Sequence, residues 1–215
     1  MFADWLTYLP ALGTGLVTSV QVTIASLVLG LPFGLLLALG ASSENGLLRS
    51  AVIALVELGR GTPALVVLQI FYFGMPGFGL TLSSFVSAVI ALALTTGAYT
   101  SEIIRGGLQA VPAGEVEAAD ALGMSHLDTL RYVVIPQGLR IAVPPLLGFA
   151  ILIFQATSLA YTIALPELLG AAYSIGSTTF RYLSVLTLAG LMYAAVTIPM
   201  SLLTDRITAR MSRHL

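Results

Sequence analysis

Residues 106–137 read GGLQAVPAGEVEAADALGMSHLDTLRYVVIPQ and hold four of the chain's ten acids. Pro112 and Gly114 end the helix that precedes them. Glu115, Glu117 and Asp120 then fall in the opening turns of a new short helix, where carboxylates favour the positive end of the helix dipole. Val116, Ala119 and Leu122 recur on one face of that helix. Gly123 follows as a C-cap, since glycine adopts the left-handed conformation freely. Ser125-His126-Leu127-Asp128 has the form of a capping box and starts a second helix with an apolar stripe of Leu127, Leu130 and Val134. Pro136 is expected to break it. The product is a helix–glycine–helix elbow outside the lipid. It is either a solvated loop with two amphipathic helices or a rigid pair whose small-residue face enters a groove on a partner.

The elbow interrupts an otherwise lipid-like chain. Of 215 residues, 57% are hydrophobic and 9% are charged, against roughly 25% charged in an ordinary soluble domain. Mean hydropathy is +0.97. These values exclude a soluble globular enzyme and a disordered chain. Cysteine is absent, which removes disulfides, thiolate metal sites and thiol nucleophiles. A net charge of −1 leaves no footprint for nucleic acid. Uncharged stretches run over 5–43, 61–101, 141–166 and 182–204. A crossing helix needs about 20 apolar residues. The stretch 61–101 must therefore supply two, turning at Gly74-Met75-Pro76-Gly77-Phe78-Gly79. The earlier of the two begins near Leu47 and carries Glu57 and Arg60. The reading is an all-α membrane protein, one domain over 1–215, with five transmembrane helices at about 11–40, 47–74, 82–106, 138–164 and 182–204. The elbow is the loop 107–137. Continuous rather than alternating apolar runs argue against a β-barrel, and no internal repeat is visible. Met1-Phe2-Ala3-Asp4 lacks a basic n-region, so the first helix is expected to stay in the protein.

All nine basic residues are arginines. Five crossings put the termini on opposite sides. With the C-terminus cytoplasmic, Arg49, Arg60, Arg105, Arg131, Arg140, Arg206, Arg210 and Arg213 lie on or near the inner side and only Arg181 lies outside. The positive-inside rule selects that orientation.

Polar residues within the spans are the candidates for function. Glu57, Arg60, Glu102 and Arg105, near the inner ends of the second and third helices, are either gating ion pairs or structural pairs with snorkelling ends. Gln69, Tyr99, Gln155, Thr157 and Ser158 are expected near mid-membrane or facing a path, where amides and hydroxyls can meet both ends of a zwitterion. Thr157 and Ser158 can equally bond their own helix carbonyls. Pro32, Pro144, Pro145 and Pro199 kink helices or free carbonyls. The segment 164–181, with Glu167 and Arg181, is either a solvated outer loop or a contact for a soluble protein. No constellation looks catalytic: His126 and His214 are cytoplasmic and far from any membrane serine. No phosphate loop of the form GxxxxGK followed by Ser or Thr is present, and no metal site is expected.

On these residues the chain resembles the permease subunits of bacterial ATP-binding-cassette importers. Glu117-Ala118-Ala119, three residues, Gly123, nine residues and Val133-Val134-Ile135-Pro136 resemble their EAA loop, with Val133 and Ile135 in place of Ile and Leu. Arg60-Gly61-Thr62-Pro63, the run Gly97-Ala98-Tyr99 to Glu102 and Arg105-Gly106-Gly107, Pro136-Gln137 to Arg140 and Pro144-Pro145, Thr157-Ser158-Leu159 and Pro166-Glu167-Leu168 resemble the polar amino-acid (histidine/glutamine/arginine/opine) branch. Gln155-Ala156 stands where many members carry Lys followed by Asp or Asn, which resembles the M-type subunit of histidine/lysine/arginine/ornithine systems. The resemblance implies a type I importer permease fold in the bacterial inner membrane, N-terminus periplasmic and C-terminus cytoplasmic. It implies ATPase coupling through Glu117, Ala118, Ala119, Gly123, Met124 and Ser125. It implies three partners besides lipid: an ATPase dimer that binds the ATP and Mg, so that this chain holds no cofactor; a second, Q-type permease; and a periplasmic amino-acid-binding protein. The substrate implied is a basic or other polar amino acid or opine. The rival reading is an ATP-independent secondary transporter or channel, which leaves the spaced elbow unexplained.

Overall fold

The structure is a computed structural model and describes residues 4–211. Met1, Phe2, Ala3, Arg213 and His214 lie outside the described residues. Helix α1 (Trp5–Ala41) is followed by α2 (Gly46–Gly61), α3 (Ala64–Gln69), α4 (Ser84–Gln109), α5 (Ala113–Ala121), α6 (His126–Thr129), α7 (Ile135–Ala156), α8 (Leu168–Thr179) and α9 (Tyr182–Met211). Among the described residues there is no strand. Four helical stretches, Trp5–Ala41, Ser84–Gln109, His126–Ile163 and Tyr182–Met211, are long and apolar enough to cross a membrane. The bent pair Gly46–Gly61 and Ala64–Phe78 makes a fifth if counted as one crossing. The protein is thus an all-α membrane protein.

The stretch 47–74, expected as one helix, is two pieces set at 95°. Thr62 is extended (φ −91°, ψ 125°), as steric conflict with a following proline dictates, and Pro63 has no N–H to continue the ladder. The second piece loosens into a π-helical turn over Ile70–Gly74 and tightens into a 3₁₀ turn over Met75–Phe78. Gly79 closes that turn in the left-handed conformation (φ 79°). Two further expectations are corrected. Helix α1 begins at Trp5, its added first turns being largely apolar and aromatic (Trp5, Leu6, Tyr8, Leu9), and α9 runs on through the polar residues Asp205, Arg206 and Arg210 to Met211. The last part of the fourth expected helix is a 3₁₀ segment, Thr157–Ile163, and the outer loop 164–181 contains α8.

The bundle is centred on α1 against α4. Lipid offers no hydrophobic drive to helix pairing, so close approach of small residues supplies it. A Cβ on Gly30 would stand 2.5 Å from Thr96 Cβ, Gly34 faces the Thr100 hydroxyl, and Gly97 receives the Phe33 ring. Ser26 Oγ donates to the Val89 carbonyl at 3.4 Å. One buried cluster joins Val22, Leu68, Leu92 and Ile163; a second joins Leu12, Leu168, Val185 and Ala189. At the end of the bundle away from the elbow, Asp4 pairs with Arg181 and Trp5 Nε1 donates to Ser184 Oγ at 3.1 Å. These contacts fasten the start of α1 to the start of α9.

Candidate functional site: elbow, charged cluster and polar face

The elbow is built by local capping. Helix α5 ends in a Schellman motif: Met124 N–H donates to the Ala119 carbonyl (3.1 Å) and Gly123 N–H to that of Asp120 (2.9 Å), with Gly123 at φ 72°. Ser125 caps α6, accepting from Asp128 N–H at 3.2 Å, while its hydroxyl donates to Asp128 Oδ2 at 2.6 Å. Gln137 Nε2 donates to Glu115 Oε2 at 3.3 Å and ties α5 back to the root of α7. Ala119 and Thr129 face inward; Glu117, Ala118, Gly123 and Ser125 are exposed and Met124 is half-buried. Leu122 and Leu127, each on the apolar stripe of its helix, are 82% and 74% exposed. One expectation changes here. Pro136 does not break the chain: the π-helical turn Leu130–Val134 shifts the hydrogen bonding ahead of it, and Pro136 sits in the first turn of α7, where no N–H is required.

The four charged residues gather into one cluster. Arg60 Nη1 lies 3.2 Å from Glu57 Oε1 and 3.8 Å from Glu102 Oε2, and Arg105 Nη2 lies 2.6 Å from Glu102 Oε2. Glu102 therefore links α4 to α2 through Arg60 and pairs with Arg105 within its own helix. Tyr99 belongs to the same cluster. Its hydroxyl donates to the Arg60 carbonyl at 3.2 Å, the Arg60 guanidinium stands 5.9 Å from its ring centroid, and its ring stacks on Phe149 of α7 at 5.5 Å.

The remaining pathway candidates make separate contacts. Gln69 Nε2 donates to Thr162 Oγ1 at 2.9 Å, joining α3 to the 3₁₀ segment. Thr157 is buried and its hydroxyl donates to the Phe154 carbonyl (2.7 Å); that of half-buried Ser158 donates to the Gln155 carbonyl (2.8 Å). Both hydroxyls thus serve their own helix. Gln155 is exposed on α7, as is Leu152 one turn before it.

Sequence reasoning missed the most buried charge. Glu167, expected on an outer loop, is 0% exposed. It is the N-cap of α8 and accepts from Leu169 N–H (2.9 Å), Gly170 N–H (2.7 Å), Tyr193 Oη (2.8 Å) and Ser19 Oγ (3.3 Å). Three helices meet on one carboxylate. The available signal was a carboxylate directly ahead of an apolar run, which is a helix-start pattern.

Residues 30–215 match the family described as binding-protein-dependent transport system inner membrane component, and the chain belongs to that family. Its relatives narrow the class. It is 37% identical over 209 residues to the L-cystine transport system permease protein TcyB of Bacillus subtilis, covering 97% of this chain and 89% of that protein. It is 35% identical over 211 residues to the histidine/lysine/arginine/ornithine transport system permease protein HisM of Salmonella typhimurium, covering 94% of this chain and 90% of that protein. The crystal structure of an amino acid ABC transporter with histidines superposes with a TM-score of 0.94 at 33% identity, covering 98% of both chains.

Proposed function

We propose that the chain is a transmembrane permease subunit of an ATP-driven, binding-protein-dependent amino-acid importer. The observation that carries this reading is the elbow: two capped helices, hinged at left-handed Gly123, presenting Leu122 and Leu127 to the outside, in a chain of this family. Exposed leucines beside small residues fit a groove on a partner better than they fit water. In this reading an ATPase dimer holds the elbow from the cytoplasm and binds the ATP and Mg. A periplasmic binding protein delivers substrate at the Asp4–Arg181 end. The orientation follows the arginines, with the N-terminus periplasmic and the C-terminus cytoplasmic.

A second permease completes the path. Gln155, exposed within an apolar span, needs a polar partner outside this chain, because a stranded amide in hydrocarbon is costly. A Q-type paralogue against α7 would supply it, and the path would run along the Gln155 face. The cluster of Glu57, Arg60, Glu102 and Arg105 would gate its inner mouth. Nucleotide-driven movement of the elbow reaches α7 through the Glu115–Gln137 bond and the cluster through Phe149 and Tyr99. The substrate is a polar amino acid, with basic side chains favoured by the likeness to HisM.

The test is reconstitution of the chain with its permease, ATPase and binding-protein partners in proteoliposomes. Amino-acid uptake that requires both ATP and binding protein is expected. Uptake that persists without the ATPase would instead establish a secondary transporter or channel.

A further inference from the structure

Near the Asp4–Arg181 end, the 3₁₀ segment and α8 border an open cavity of about 350 Å³, within the size range of small-molecule sites. Tyr161, Ala164, Gly170, Tyr173, Ser174 and Ser177 are among its lining residues. Its shape is fixed by the backbone. Ala164 takes a left-handed conformation (φ 58°) that a side-chain-bearing residue rarely adopts, and there the chain doubles back into α8. Glu167 pins the first turn of α8 from inside the bundle. Gly170 lets that turn lie on the floor, since a Cβ there would stand 2.5 Å from the Leu165 carbonyl oxygen. Strained backbone of this kind clusters at ligand sites.

The walls carry a consistent electrostatic character. Tyr161 and Tyr173 have ring centroids 4.6 Å apart at 37°, and Tyr182 extends the array at 5.3 Å from Tyr173. Aromatic faces attract cations. Ser177 Oγ donates to the Ser174 carbonyl at 2.8 Å, so its oxygen lone pairs stay open to accept. Among the described residues no basic side chain lines the cavity. Arg181, at this end of the bundle, is paired with Asp4. Rings, oxygens and a lining without basic groups together suit a cation.

We infer that this cavity is an entry subsite for the cationic side chain, guanidinium or ammonium, of the transported amino acid, occupied before the substrate reaches the Gln155 face. The inference rests on the importer reading and names its substrate class.

The probes are L-arginine and L-citrulline, which share chain length and shape and differ in charge. Each is titrated calorimetrically into the assembled importer, without binding protein. A desolvated cation–π contact is worth roughly tenfold in affinity, so arginine binding about tenfold tighter than citrulline is expected. Tyr173→Leu, at a half-exposed position that tolerates an apolar replacement, should bring the ratio to within about threefold, while Tyr173→Phe, which keeps the π face, should preserve it. Equal affinities in the unmodified importer, or binding of neither probe, would overturn the inference. So would an arginine preference that survives Tyr173→Leu and disappears in Gln155→Ala. A Tyr173→Leu importer that fails to assemble leaves the decision to Tyr161→Leu, scored by the same ratio. Failure of the importer reading shows separately, as absence of ATP-dependent uptake of any amino acid by the unmodified complex.

Discussion

The Tyr99 hydroxyl donates to the carbonyl of Arg60, 39 positions away, at 3.2 Å, and that carbonyl is the one an unbroken helix would pair with the N–H of Ala64. Tyr99 thus caps the helix that Pro63 breaks. The Arg60 guanidinium over its ring and Phe149 beneath it make the tyrosine the meeting point of α2, α4 and α7. Tyr99→Phe keeps the stack and removes only the cap. Loss of one such hydrogen bond costs about 1 kcal/mol, and the melting temperature of the purified complex should fall by roughly 2–4 °C. An unchanged melting temperature would mean that water or another donor satisfies Arg60. A substrate-lining role would appear instead as altered uptake at constant stability.

Gly123 separates backbone conformation from space. A side chain there would meet nothing within 4 Å, yet φ is +72°. Gly123→Ala should therefore loosen the elbow through conformation alone, by about 1–2 kcal/mol. Gly123→Asn, a residue that tolerates the left-handed region, should recover most of that loss. The measurements are ATPase stimulation by loaded binding protein and hydrogen exchange over 113–129. Equal coupling in Ala and Asn variants, both below the parent, would point to a steric contact with the ATPase in place of a conformational one.

The elbow was legible because capping is local: Gly123 and Ser125 act on residues within five positions of themselves. The crossings were legible as uncharged runs of the required length. The break at Thr62–Pro63 was obscured by the same length argument, which joined two short apolar pieces into one helix. Glu167 was misplaced because a lone acid between spans reads as solvated, and its partners Ser19 and Tyr193 lie 148 and 26 positions away, beyond any periodic pattern. Helix α8, only 12 residues long, was too short to register as a crossing.

The α1–α4 seam predicts a contrast between two glycines of one helix. Gly30 is pressed against Thr96, whereas a side chain at Gly13 would meet nothing within 4 Å. Gly30→Val should cost about 1–3 kcal/mol through overpacking of the seam and lower the yield of folded complex. Gly13→Ala should leave both yield and melting temperature unchanged. Equal tolerance at the two positions would show that α1 and α4 do not pack this closely in the membrane.

Glu167 makes a graded prediction. Glu167→Ala strands two backbone N–H groups and the hydroxyls of Ser19 and Tyr193, each buried donor costing roughly 1–3 kcal/mol. Assembly should be largely lost. Tyr193→Phe removes one donor and should cost only about 1 kcal/mol. Combining Tyr193→Phe with Glu167→Ala should add little to Glu167→Ala alone, because the shared bond is already gone. Strict additivity in thermal denaturation of the complex would place the two residues in separate interactions.

Glu102 bridges two arginines, and the order of its contacts states what a charge exchange should do. Arg105 lies at 2.6 Å on the same helix, and Arg60 lies at 3.8 Å across to α2. Within-helix pairing orients the carboxylate; the longer contact is the one that must part if α2 and α4 separate at the inner mouth. Arg60→Glu sets a new carboxylate between those of Glu57 and Glu102, and their mutual repulsion should hold the mouth open. Basal ATP hydrolysis without binding protein should rise, and uptake per ATP should fall. The exchanged pair, Arg60→Glu with Glu102→Arg, restores attraction between α2 and α4 but sets the new arginine beside Arg105, so recovery should be partial and should improve when Arg105→Gln is added. The ratio of uptake to hydrolysis in proteoliposomes reads the outcome. A ratio that is the same in the parent and all three variants would assign the cluster to structure alone.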